Sequence, residues 1–269
     1  MTDLIHVEVV DGVAWATIDA PPINLMTIEL LVAISHTAQA IASDDDVRVL
    51  VWRSANPDFF IAHFDVEAIL SFPIDTEPVR GEANYFHQMC ETLRTMPKAT
   101  ICSIAGRVGG GGAEMAASCD MRFGARGRAV LNQMEVPLGI LPGGTGTQRI
   151  PRLVGRSRAL EIILGGIDVD ADTLAAWGWL NRALPPDELD DYVSLLARRI
   201  ASYPATAIAE AKAAVLAAEP DPADGLAEES WRFQRTIRTD AAQTRMRRFL
   251  ELGGQTRDVE LHIADLDVS

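Results

Sequence analysis

Ile104-Ala-Gly-Arg-Val-Gly-Gly-Gly-Gly-Ala-Glu-Met-Ala-Ala-Ser-Cys-Asp120 is the most unusual run in this chain. Four consecutive glycines, Gly109 to Gly112, stand directly before a stretch that reads as a helix, Ala113–Ser118. Without Cβ atoms, the backbone amides there can approach a ligand closely. A helix N-terminus adds unsatisfied N–H donors and positive potential. Together these suit negative charge, either a phosphate or an oxyanion that develops during a reaction. A dinucleotide fingerprint counted from Gly109 needs a third glycine at position 114, and Glu114 stands there. A carboxylate repels a phosphate, but beside a reacting carbonyl it is an acid or a base. The same residues also describe a surface turn followed by a solvated glutamate, and local physics alone does not separate the two.

Outward from this run the pattern is that of an α/β protein. Thr100–Ile104 reads as a buried strand leading into Gly106. Val7–Val10 and Val13–Ile18 flank Asp11-Gly12, a two-residue hairpin turn. From Thr27, apolar residues return at helical spacing (Ile28, Leu31, Val32, Ala38, Ile41), and Glu29 lies in the first turn, where the helix dipole favours an anion. Val47–Trp52 reads as a strand, Val66–Leu70 and Gly81–Thr95 as helices. Strand, glycine turn and helix recur, so the fold class is α/β. Beyond Ile200 the chain becomes helical: Ala205–Ala218, Ala223–Arg238 and Ala241–Leu252, with Asp221-Pro222 breaking the first from the second. This tail reads equally as a layer closing one domain or as an appendage covering the site or a neighbouring subunit.

Composition narrows the classes. At roughly 150 residues per domain, 269 residues make one large domain, or one with a small appendage. Lys+Arg 24 against Asp+Glu 38 gives −14, which argues against a nucleic-acid or anionic-membrane binder. Only Lys98 and Lys212 are lysines. Neither follows a glycine, so there is no P-loop. No apolar run reaches the ~18 residues of a membrane span, and the opening MTDLIHVEVVDGVAW lacks a signal-peptide pattern. Cys90, Cys102 and Cys119 form no CxxC pair and suit buried thiols in a reducing cytoplasm. The five scattered histidines contain no HExxH, so no metal site is expected.

A second segment, Leu131-Asn-Gln-Met-Glu-Val-Pro-Leu-Gly-Ile-Leu-Pro-Gly-Gly-Thr-Gly-Thr-Gln-Arg149, places Glu135 between Met134 and Val136. Apolar surroundings raise a carboxyl pKa by desolvation, which suits proton transfer near neutrality. Glu114 and Glu135 thus form a candidate pair, although their sequence separation says nothing of their distance in space.

With these residues in view, the chain resembles the enoyl-CoA hydratase/isomerase (crotonase) family over nearly its whole length. Phe60-Ile-Ala-His-Phe-Asp65, Ile104–Glu114, Cys119-Asp120, Glu135–Arg149 and Leu153-Val-Gly-Arg-Ser-Arg-Ala-Leu160 carry the resemblance, the Pro-Gly-Gly-x-Gly-Thr-Gln-Arg block being the most specific. The resemblance implies a crotonase-like spiral of repeated ββα units (residues 1–200) that holds an acyl-CoA site. Residues 201–269 would be a helical region covering that site and packing on neighbouring subunits in a homotrimer or homohexamer. It implies an acyl-CoA thioester substrate that brings coenzyme A with it, and no separate cofactor. The thioester enolate would be stabilised by two backbone amides, those of Phe64 and Gly111, with Ala62, His63, Asp65, Gly110 and Gly143 lining the substrate site. Members with both glutamates hydrate double bonds, so the expected reaction is addition of water to a 2-enoyl-CoA by a cytoplasmic enzyme. Glu114 would activate the water and Glu135 would protonate the α-carbon.

Departures from the family keep other outcomes in view. His63 replaces a usual glycine where the oxyanion amide must point, and is expected to pack beside the substrate channel, a third catalytic group being the alternative. Phe64 occurs in dehalogenase-like members. Glu67 stands where hydratases often carry a lysine, so Arg53, Lys98, Arg245, Arg247 and Arg248 become candidate phosphate contacts. The alternatives are isomerisation, dehalogenation or thioester hydrolysis on the same scaffold, or a non-catalytic binding or assembly protein.

Overall fold

The computed structural model describes residues 4–81 and 83–268; Met1–Asp3, with the start of the opening segment, Glu82 within the expected 81–95 helix, and Ser269 lie outside the described residues. The chain opens with the hairpin β1 (Ile5–Val10) and β2 (Val13–Ile18). Its turn residues Asp11 and Gly12 both have positive φ, 51° and 77°, the twist that suits a two-residue connection. Helix α1 (Ile28–Ala42) follows, capped by Thr27, whose hydroxyl accepts from Leu30 N at 3.2 Å. Of the stripe expected from the spacing, Leu31, Ala38 and Ile41 are buried, with Leu30 and Ile34 beside them, whereas Ile28 is exposed and Val32 half-buried, so the buried face is turned from the expected one.

A strand, a short strand and a helix then recur. The first unit is β3 (Val49–Ser54), β4 (Phe59–Ile61) and α2 (Val66–Leu70). After α3 (Tyr85–Thr95) comes the second: β5 (Ala99–Ile104), β6 (Arg107–Gly109) and α4 (Gly110–Ala117). The third is β7 (Met121–Ala125), β8 (Val130–Asn132) and α5 (Gly146–Val154). The leading strands join a six-stranded sheet in the order β1-β2-β3-β5-β7-β10, where β10 is Arg182–Leu184. The short strands join a four-stranded sheet, β4-β6-β8-β9, with β9 at Val169–Asp170. Both sheets are parallel except at the hairpin and at β9. This is the expected spiral of ββα turns.

The remaining helices pack around this spiral. They are α6 (Arg156–Gly165), α7 (Ala171–Trp177), α8 (Leu189–Ala201), α9 (Ala205–Leu216), α10 (Ala223–Ile237), α11 (Asp240–Glu251) and α12 (Arg257–Glu260). Leu189, Val193 and Ala197 of α8 pack on Val13, Val49, Val51 and Ile101 of the six-stranded sheet. α9 buries none of its residues. Ile237, Ala242, Met246 and Phe249, from α10 and α11, share a core with Val66 and Ile69 of α2 and with Met134, Leu138 and Ile140. The tail therefore lies against the second segment that the sequence marks for chemistry, Leu131–Arg149. Among the described residues no helix is long and apolar enough to cross a membrane.

Two expectations are corrected. The helix expected from Gly81 starts at Tyr85, where the Asn84 side chain accepts from His87 N at 2.8 Å. The glycine run does not precede its helix but forms the first turn, since α4 begins at Gly110. Every residue of α4 is buried, which explains the glycines. A Cβ at 112 would lie 2.6 Å from that of Ile61, and one at 111 would lie 3.3 Å from that of Phe64. Packing on all sides overrides the poor helix propensity of glycine.

Candidate active site

The two glutamates that lie 21 residues apart in sequence line one cavity of about 490 Å³, together with Phe64, Gly111, Gly143 and Gly144. Its other walls are apolar: Ile28, Leu31 and Val32 of α1, Ile69 and Phe72, Phe86 of α3, Ile140 and Leu141, and Phe233 of α10. No lysine or arginine lines the cavity among the described residues.

Glu114 sits in α4, 3% exposed. Its Oε1 accepts from Gly144 N at 2.8 Å and Gly146 N at 2.6 Å, at the start of α5. Its Oε2 accepts no hydrogen bond from the described residues and is left to the cavity. Burial raises its pKa well above the usual carboxylate range, with the charges of Glu135 and Glu229 adding to the effect and the two amides opposing it. Glu135 follows β8 and is pushed up to about 7, again by burial first, with a backbone hydrogen bond and the His63 charge opposing. The Gln133 carboxamide, oriented with its nitrogen toward Glu135, donates to both carboxylate oxygens, at 2.8 and 3.2 Å. Burial lifts both carboxyls of the cavity, Glu135 to about 7, in the direction that suits proton transfer near neutrality.

The amides expected to meet an oxyanion adjoin this pair. Phe64 N–H has no partner among the described residues, whereas the peptides on either side of it are held by Met26 N donating to His63 O (2.9 Å) and Asp65 N donating to Met26 O (3.1 Å). Gly111 is the second residue of α4, where N–H groups precede the first intrahelical acceptors. Gly110 turns the chain into the helix at φ 42°, and a Cβ there would lie 2.9 Å from that of His63 and 3.0 Å from Glu135 Oε1.

Other expected positions have different roles. His63 is buried and does not line the cavity. It is absent from the positive-φ residues, so replacing the family's glycine leaves the loop unstrained. Its ring lies 3.0 Å from Glu260 Oε1 and 2.8 Å from Phe64 O. Asp65 caps α2, its Oδ1 accepting from Glu67 N at 2.9 Å. Ala62 is buried away from the cavity, against Gly109. Lys98 is buried and donates to the carbonyls of Asp44 and, at 2.6 Å, Val47, which accounts for it as a structural cation. Arg53 bonds Thr17 Oγ1, Arg245 bonds Pro137 O, Arg247 bonds Gln243 and Arg248 bonds Glu251.

The sequence reading missed a third buried carboxylate. Glu229 of α10 accepts from Thr145 N (2.7 Å), Thr147 N (2.9 Å), the Thr147 hydroxyl and His87 Nε2 (3.2 Å). Four successive amides, 144 to 147, therefore alternate between Glu114 and Glu229. The available signal was a charged residue beside the apolar stripe Leu226, Phe233, Ile237 of α10.

Residues 8–256 match the family model for enoyl-CoA hydratase/isomerase. A short-chain-enoyl-CoA hydratase of Clostridium acetobutylicum is 30% identical over 89% of this chain and 91% of its own length. The glyoxysomal fatty acid beta-oxidation multifunctional protein of Brassica napus is 34% identical over 66% of the chain, which spans only 25% of that longer protein. Among solved structures, a provisionally named enoyl-CoA hydratase of Streptomyces avermitilis superposes with a TM-score of 0.87 at 37% identity, covering 97% of this chain and 98% of the other. With the spiral of ββα turns, the paired glutamates and the two amides already in place, the chain belongs to the enoyl-CoA hydratase/isomerase family.

Proposed function

We propose that this protein adds water across the double bond of a 2-enoyl-CoA thioester. The observation that carries the reading is that both carboxyls face one apolar cavity, beside the Phe64 and Gly111 amides. In this reading the acyl chain lies among Phe72, Phe86, Ile140 and Phe233, and the thioester oxygen accepts from Phe64 N–H and Gly111 N–H. Attack at the β-carbon moves electron density onto that oxygen, and donors already in place stabilise it without reorganisation. Glu114, ionised and fixed through Oε1, takes the proton of a water with Oε2 as the water's oxygen bonds to the β-carbon. Glu135, protonated, delivers its proton to the α-carbon. The step moves protons and one electron pair, is redox-neutral, and calls on no cofactor beyond the coenzyme A of the substrate. Assembly as a homotrimer or homohexamer is part of the same proposal.

Loss of the conjugated thioester absorbance of crotonyl-CoA tests it, with Glu114→Gln and Glu135→Gln beside the wild type. Each variant is expected to fall by at least about a hundredfold, the low end for an acid/base role. Double-bond isomerisation needs only one proton-shuttling carboxyl, so an unimpaired Glu114→Gln enzyme that shifts a 3-enoyl-CoA would replace hydration with isomerisation.

A further inference from the structure

We propose that Glu260, acting through His63, is a positioning residue for the Phe64 amide, so that the C-terminal segment 255–260 holds one half of the oxyanion site in place. This rests on the hydratase reading above. The chemistry of the contacts fixes the protons. A carbonyl only accepts, so the 2.8 Å contact of His63 Nδ1 with Phe64 O requires a proton on Nδ1. An ionised carboxylate also only accepts, so the 3.0 Å contact of Nε2 with Glu260 Oε1 requires a second. The ring is thus an imidazolium paired with a carboxylate, each 2% exposed. Burial opposes the charge on His63, yet the Glu260 charge and hydrogen bond raise its pKa. Burial likewise opposes the charge on Glu260, and His63 draws its pKa down.

The same segment grips the loop a second time. Glu260 Oε1 accepts from Gln255 N at 2.8 Å, and Gln255 Oε1 accepts from Val66 N at 2.7 Å. Residues 63 and 66, on either side of Phe64, are both tied to it. The edge of the Phe249 ring closes the other side of the imidazole, with centroids 5.8 Å apart. Phe64 O is fixed by His63 and His63 O by Met26, so both peptide planes meeting at Phe64 are set while its N–H stays uncommitted. A donor displaced by about 1 Å can cost on the order of 10² in rate, which gives such a clamp a function.

The test compares wild type, Glu260→Ala, Glu260→Gln and His63→Phe in crotonyl-CoA hydration, with ¹⁵N NMR of the His63 ring at pH 7. Glu260→Ala and His63→Phe are expected to lower kcat by at least about tenfold per folded molecule, with KM within about threefold of wild type. Glu260→Gln can still bond Nε2, now donating to it from its amide nitrogen, and is expected to recover most of kcat while the ring keeps only its Nδ1 proton. A wild-type ring carrying a single proton overturns the proposal, as does Glu260→Ala with wild-type kcat. If Glu260→Ala fails to fold, His63→Phe carries the kcat comparison, and an unchanged kcat there has the same force. Wild type that does not hydrate crotonyl-CoA overturns the hydratase reading and this role with it. Turnover in the wild type that Glu260→Ala leaves intact overturns this role alone.

Discussion

Gly144→Ala introduces one methyl group at the wall shared by Glu114 and Phe86. Its Cβ would lie 2.7 Å from Glu114 Oε2 and 2.6 Å from Phe86 Cε1, against ordinary contact from 3.4 Å. Something must yield by about 0.7 Å, and both neighbours line the cavity. The Gly144 amide that holds Glu114 Oε1 survives the substitution, so the damage falls on the free oxygen and on the ring beside it. A misplacement of about 1 Å costs on the order of 10²-fold. A fall of about 10- to 100-fold in kcat/KM is therefore expected, roughly 1.4–2.7 kcal/mol of transition-state stabilisation, with about 1–3 kcal/mol of stability lost to overpacking. Crotonyl-CoA hydration and urea unfolding measure the two effects. Gly81→Ala is the control, because a Cβ there meets nothing within 4 Å. Wild-type kcat/KM in Gly144→Ala would refute the placement of the water-activating oxygen.

Three further outcomes follow from the site. Glu135 must hold its proton to deliver it, and its pKa stands at about 7, so kcat should fall as pH rises past that value; a flat profile from pH 6 to 9 counts against its role as donor. Glu229→Gln removes a charge that helps lift Glu114, so Glu114 should ionise at lower pH and the acidic limb of the rate profile should move down, while the amides of Thr145 and Thr147 lose a strong acceptor and thermal stability drops; an unmoved acidic limb would disprove the electrostatic coupling. Lys98→Met leaves the buried Val47 carbonyl without its side-chain donor, while Asp44 O keeps Val47 N, and should cost about 1–3 kcal/mol in chemical denaturation with KM for an acyl-CoA unchanged; a raised KM at full stability would restore Lys98 as a phosphate contact.

The hairpin, the alternation of strand and helix and the helices of the tail could be read from the chain because each depends on local chemistry: Asp11-Gly12 for the turn, apolar spacing for α1, Asp221-Pro222 for the break before α10. Gly109–Gly112 misled in one respect. Four glycines disfavour a helix locally, and only the neighbours that crowd α4, Ile61 and Phe64 above all, explain why the helix starts among them. Glu114 and Glu135 stood inside distinctive motifs and could be named. Glu229, His87, Gln133 and Glu260 could not, since what makes each of them matter is a partner brought near by folding: Thr145 lies 84 residues from Glu229, and His63 lies 197 from Glu260. Asp65 shows the reverse, a residue inside a matching motif whose side chain caps a helix.

The alternation of four amides between two glutamates also bears on the order in which the molecule is completed. Gly144 and Gly146 serve a carboxylate from the middle of the chain, while Thr145 and Thr147 serve one from near its end. Until α10 docks, the first turn of α5 has only half its acceptors, and Glu114, which takes its own donors from Gly144 and Gly146, lacks the Glu229 charge that adds to its affinity for a proton. During synthesis the chain can form its sheets well before residue 229 has emerged. A chain that ends before residue 229 therefore lacks both the acceptor of the Thr145 and Thr147 amides and the charge that adds to the raised proton affinity of Glu114.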